Sequence, residues 1–259
     1  MRTTPHGWNP VRVIPVAISL IAALSTGCGN RYESAGLSRE ALETIAARAF
    51  DEGDWANSEI LYTQLLFNYP GATDTDLYVY RLGVSDAGQR LWVEADFQFR
   101  RVIDEFPGSA LADDARYQIA RTFWLQKRDF RRDLTPVTRA LEETAVFFED
   151  YPGSSLTPRV EALRDSCLAH LARRSLFLGQ FYERRGRHEA AMLYYREALE
   201  DYMGGDCLGE LLVSMGGLYE KMNNAFAARS SYNRAISECG VTGDLLDKAE
   251  EGLSRVGGM

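Results

Sequence analysis

Four cysteines and three histidines are the side chains of this 259-residue chain with the widest chemical reach. Cys28, Cys167, Cys207 and Cys239 stand far from one another; His170 follows Cys167 by three residues, but neither the third histidine, His188, nor any other cysteine stands near enough in sequence to complete a set of metal ligands. Carboxylates are plentiful, but on helical surfaces such groups are ordinarily solvated. No glycine-rich loop joins a strand to a helix, so there is no phosphate cradle. These residue types predict a protein that is not an enzyme and uses no cofactor or metal. Cys28 stands apart. It closes the small-residue stretch of "ALSTGCGN", residues 23–30, directly behind an apolar run.

The run has a definite layout. Arg2 and Arg12 precede it, and no acidic residue occurs in the first 32 positions. Residues 13–24, "VIPVAISLIAAL", are apolar except for Pro15 and Ser19. That length is short of the roughly 20 residues a membrane span needs, but it suits the core of a secretory signal. Small residues leading into a cysteine resemble the lipobox of bacterial lipoproteins, with Leu24 and Ser25 ahead of Cys28. The resemblance implies a signal over 1–27 and a thioether-linked diacylglycerol on Cys28, which anchors the chain to a membrane. Each buried methylene adds about 0.8 kcal/mol, so several chains hold firmly. An ordinary cleaved signal with an incidental cysteine is the competing reading. Gly29, rather than an aspartate, follows Cys28, which implies the outer membrane.

The 37 acidic residues outnumber the 29 Lys and Arg, for a net charge of −8. Without Arg2 and Arg12 the chain from Cys28 onward sits at about −10. An acidic surface argues against nucleic acid as a partner. Residues 28–36 read as a lipidated flexible tether.

From residue 37 the pattern is helical, and it repeats. "FNYPGA" at 67–72, "DEFPGS" at 104–109 and "EDYPGS" at 149–154 punctuate three helix ends alike. Twelve residues before each proline stands Ser58, Ala95 or Ala140, and Ala191 and Ala228 continue the series. Four residues later comes Tyr62, Phe99, Thr144, Tyr195 or Tyr232, on the same helical face. Twelve residues upstream stand Ala46, Gly83, Gly179 and Gly216, whose size lets a preceding helix approach closely. The turns "EGDW", "RRGRH" and "KMNNA" carry glycine or asparagine where left-handed backbone is needed. Trp55, Trp92, Val137 and His188 recur three residues before the small anchor and read as packing over the turn.

Such helix–turn–helix units resemble the tetratricopeptide repeat. The expected fold is all-α: a right-handed superhelix of five degenerate hairpins, three in residues 37–156, two in 157–243, and a short C-terminal helix or tail over 244–259. The third repeat carries an insertion, "RRDLTPVT" at 131–138, with Thr135 and Pro136 as a helix start. The fourth opens with a long helix expected from about 157 to 185.

Lipobox, repeats, "YPGS" punctuation, the "RDLTP" insertion and "LAHLARRSLFLGQFYERRGRHEAAMLYYREALEDY" together resemble the BamD family of outer-membrane protein assembly lipoproteins. The resemblance covers roughly residues 37–240. It implies a non-catalytic scaffold, lipid-anchored on the periplasmic face of the outer membrane. Its N-terminal repeats would receive the targeting strand of unfolded β-barrel proteins, and its C-terminal repeats would dock on the barrel insertase, BamA. Groove-facing positions carried onto this chain are Phe50, Leu77, Tyr80, Val84, Tyr117, Arg121 and Trp124 for the client strand. An aromatic floor with Arg121 would suit a terminal aromatic residue and its carboxylate. Packing between repeats is the alternative role for these aromatics, and for Phe50 it is the preferred one. The corresponding partner positions are Arg173, Gln180, Glu183 and Arg184, with Glu210 and Lys221, which could equally be a solvated face. A lipoprotein of pilus or cell-division machinery and a periplasmic glycan-binding accessory are the alternative functions.

In the fifth hairpin, turning near Asn223 and Asn224, Cys207 and Cys239 fall at adjoining helix ends. A disulfide between them is expected if their Cα atoms come within about 7 Å. Cys167 is then a buried, inert thiol.

Overall fold

A computed structural model of the chain describes residues 34, 36–201 and 208–258. Among the described residues there are eleven α-helices and no strand. They are α1 (Arg39–Asp51), α2 (Trp55–Asn68), α3 (Thr75–Gly88), α4 (Trp92–Glu105), α5 (Ala112–Leu125), α6 (Thr135–Asp150), α7 (Thr157–Arg184), α8 (His188–Asp201), α9 (Leu208–Lys221), α10 (Ala225–Ser237) and α11 (Asp244–Gly257). Each odd-numbered helix from α1 to α9 pairs with its successor into a hairpin, and hairpins stack along the chain. The first helices α3, α5, α7, α9 and α11 also touch one another in series, forming a continuous wall. The helix α11 thus joins the array as one more first helix.

The small residues of the repeat frame hold the hairpins together. Ser58, Ala95, Ala140, Ala191 and Ala228 are all inaccessible. The upstream glycines make room for the aromatic ring of the second helix. A Cβ on Gly83 would lie 2.9 Å from the Phe99 ring, on Gly179 2.2 Å from Tyr195, and on Gly216 2.5 Å from Tyr232. Gly252 of α11 meets Tyr232 from its other side, where a Cβ would fall 2.3 Å away. Such contacts let helix axes approach to a distance that no larger residue allows.

Turns within the hairpins share one backbone device. Gly53, Arg90, Gly186 and Asn223 all take positive φ, each seven residues after the small residue of the first helix. The third hairpin lacks it because the insertion lies there. Its second helix starts with Thr135 and Pro136, as the sequence indicates, and α7 runs 28 residues.

The "PGS" punctuation also has a physical reason. Ser109 Oγ donates to Asp76 Oδ2 at 2.5 Å and accepts from the Leu111 amide at 3.1 Å. Ser154 repeats this with Asp113 at 2.6 Å and Leu156 at 3.0 Å. Each serine caps the next hairpin and ties it to the one before. At the first junction the equivalent positions are Ala72 and Arg39, and this clamp has no counterpart there.

Trp55 does more than cover its own turn. Its ring lies edge-on to Phe50, and it fills the space at Gly88, at the end of the next hairpin's first helix.

Candidate binding groove

Two hollows open on the wall of first helices. The N-terminal one, about 360 Å³, lies between α1 and α3 and is lined by Leu77 with Glu40, Glu43, Tyr62, Asp74, Tyr78 and Arg81. Arg81 Nη1 donates to Tyr62 Oη at 2.7 Å, and its guanidinium lies 5.2 Å from the Phe50 ring centre. Phe50 therefore packs within the hairpin, as its sequence position favours. The Tyr78 hydroxyl donates to Glu43 and accepts from Arg39. Burial, then the Glu43 carboxylate, pushes the Tyr78 phenol up to about 12.

Further along, Tyr80 and Arg121 are joined through a residue that the sequence did not single out. Gln118 Nε2 donates to Tyr80 Oη at 3.3 Å, and Arg121 Nη1 donates to Gln118 Oε1 at 3.3 Å. The Tyr80 ring packs 5.8 Å from Phe99, and burial raises its phenol pKa. Arg121 is exposed. Tyr117 and Trp124 are half-buried against the α6–α7 core. Trp124 is edge-on to His170 at 6.0 Å, with Lys127 Nζ 4.3 Å above its ring. Val84 is a half-buried neighbour of the α3–α5 core. The client positions are thus spread along the wall: Tyr80 with Arg121, Leu77 in its own hollow, Tyr117 and Trp124 in packing contacts.

The segment leading into the insertion folds onto α7. Phe130 is edge-on to His170 and Phe177 at 6.4 and 5.9 Å. Asp133 caps α6 by accepting from the Thr135 amide and hydroxyl. Burial, then Lys127, lowers the His170 pKa.

The second hollow, about 350 Å³, lies between α7, α9 and α11. It brings together Gln180, Glu183 and Arg184 with Lys221, and adds Lys248, Glu251 and Arg255 from α11. Arg173 is exposed on α7, two turns before Gln180. Gln180 Nε2 donates to Glu210 Oε1 at 3.0 Å. Glu183 accepts from the Tyr195 hydroxyl at 2.6 Å and from Lys221 at 2.7 Å. One hairpin later Glu220 accepts from Tyr232, and from Arg255 at 2.9 and 3.1 Å. Arg255 holds the Glu220 carboxyl below its ordinary pKa. Burial, then the adjoining glutamate, raises both tyrosines. This tyrosine–glutamate–cation unit spans three helices each time. The repeated Gly-x-x-x-Glu of Gly179–Glu183 and Gly216–Glu220 was the sequence signal for it.

Cys167 is fully buried, and burial pushes its thiol up to about 12. Cys239 is half-buried beside Gly209, at the adjoining helix ends, and has no disulfide partner among the described residues; Cys207, its expected bridging partner, lies outside them. Cys28 also lies outside them.

Stacked helical hairpins with hollows on the first-helix wall define a tetratricopeptide-type scaffold. Residues 38–234 match the family described as YfiO: Outer membrane lipoprotein. The chain belongs to that family. It is 22% identical over 192 residues to the outer membrane protein assembly factor BamD of Caulobacter vibrioides, an alignment covering 72% of this chain and 63% of that protein. Among solved structures, a TPR repeats protein from Bacteroides fragilis aligns at a TM-score of 0.48 with 15% identity, covering 84% of this chain and 99% of the other. A TPR protein from Thermus thermophilus aligns at 0.36 with 15% identity, covering 84% and 100%.

Proposed function

We propose that this protein is a non-catalytic scaffold for assembling β-barrel proteins into the outer membrane, held on its periplasmic face by lipid on Cys28. In this reading the hairpins of residues 37–156 receive an unfolded client strand and those of 157–243 dock on the barrel insertase. Family membership supports the process and the membrane. The observation that carries the client role is the Tyr80–Gln118–Arg121 chain. It fixes an aromatic ring and an exposed guanidinium on adjacent first helices, as recognition of a strand ending in an aromatic residue and a carboxylate requires. The eleven residues from Cys28 to Arg39 reach at most about 40 Å, enough to keep that wall near the membrane.

Co-purification of the intact protein from detergent-solubilised envelopes tests this. Recovery of a barrel-forming membrane protein with periplasmic domains is expected. Recovery of a pilus secretin, or of a glycan instead of a barrel protein, would replace the reading.

A further inference from the structure

The hollow between α7, α9 and α11 carries a charge opposite to that of the molecule. The chain is net −8, yet among the described residues this hollow gathers Arg184, Lys221, Lys248 and Arg255 against Glu183 and Glu251. Two of the four cations are engaged: Lys221 with Glu183 at 2.7 Å, and Arg255 with Glu220 at 2.9 Å. Arg184 and Lys248, from opposite walls, have no ion-pair partner among the described residues. The remaining lining includes Val213, Gly217 and Tyr232.

We propose that this hollow binds the carboxylates of an acidic, extended segment of a partner protein, with Arg184 and Lys248 as the ligating cations. The proposal rests on the reading of the C-terminal hairpins as the docking half and specifies its chemistry. Three observations favour it. A hollow of about 350 Å³ lies at the small end of ligand sites, so it suits one or two side chains rather than a folded surface. A guanidinium fork matches a carboxylate in two parallel hydrogen bonds. Two unengaged cations within an acidic molecule suit one or two negative charges, whereas a polyanion is repelled by the surroundings.

The helix α11 completes the site. Lys248, Glu251 and Arg255 lie beyond residue 234, where the family match ends. Its seat depends on Gly252 against Tyr232, on the bidentate Arg255–Glu220 pair, and on Arg229 donating to the Val256 carbonyl at 3.0 Å.

The test uses the full chain in detergent and a fluorescent peptide with two glutamates flanking a tyrosine in a glycine–serine background. Its counterpart has glutamine for glutamate. Fluorescence anisotropy at low salt is expected to show at least tenfold tighter binding of the glutamate peptide. The Arg184→Gln/Lys248→Gln double variant is expected to abolish that preference while unfolding at the wild-type temperature. Gly252→Val, which touches neither cation, is expected to weaken the preference by unseating α11. Equal binding of the two peptides, an undiminished preference in the double variant, or displacement of the peptide by equimolar inorganic phosphate would overturn the site. Failure of the wild type to recover a barrel insertase from envelopes overturns the scaffold reading instead, and is measured separately.

Discussion

Gly179→Ala probes the packing on which the whole array depends. The added Cβ would stand 2.2 and 2.3 Å from Tyr195 Cε1 and Cδ1. The ring cannot slip aside, because it is fully buried and its hydroxyl is held by Glu183 at 2.6 Å. α7 and α8 must therefore separate by over an ångström. Overpacking of this kind costs about 1–3 kcal/mol, and a weakened tyrosine–carboxylate hydrogen bond adds roughly 1 kcal/mol. Replacing a mid-helix glycine by alanine returns about 1 kcal/mol. The net loss is about 2 kcal/mol, or roughly 4–8 °C in Tm for a domain of this size. Circular dichroism during heating and urea reads it. Gly108→Ala is the control. No atom lies within 4 Å of that Cβ, so stability should stay level or rise by about 0.5 kcal/mol. Adding Tyr195→Leu to Gly179→Ala should cost less than the sum of the two single changes, by about 1 kcal/mol. If Gly179→Ala unfolds at the wild-type temperature, the close approach of α7 and α8 is not what holds the fourth hairpin.

Two other perturbations follow from the same structure. Burial, with Glu59 and Glu94 nearby, pushes the Asp86 carboxyl up to about 7. Because this lies above the unfolded value of about 4, the benefit of neutral Asp86 is complete below that pH and is lost as pH rises through about 7. Asp86→Asn should therefore stabilise the protein by about 1 kcal/mol or more at pH 8 and much less at pH 5, as read by urea midpoints at the two pH values; an equal effect at both would refute the assignment. Ser154→Ala removes a cap and its bond to Asp113, so a loss of about 1–2 kcal/mol is expected, with faster hydrogen exchange at the start of α7.

Local periodicity made much of the fold legible. Ser58, Ala95, Ala140, Ala191 and Ala228 sit on faces that must be buried, and the aromatic or threonine four residues later follows from the helical turn. The insertion announced itself because Pro136 is excluded from a helix interior but suits a first turn, so Thr135–Pro136 marks a helix start. Contacts between hairpins were not legible in that way. Gln118, which bridges Tyr80 to Arg121, is one polar residue among many on α5, and only the stacking of α3 on α5 gives it a role. Lys248 and Arg255 sit in what reads as a short C-terminal helix or tail with no place in the repeat frame, and they enter a hollow only because Gly252 seats α11 against Tyr232. Tyr117 and Trp124 show the converse. Their spacing is that of groove residues, but the long α7 and the insertion cover them.

The central claim, that the wall of first helices receives another protein's chain, is tested most directly by a photoreactive residue at position 121 in the intact, membrane-bound protein. A matched probe at position 142, exposed on α6, faces away from that wall. Adducts with unfolded outer-membrane barrel chains from 121, and not from 142, are predicted. No adduct from 121, or equal yields from both positions, would contradict it.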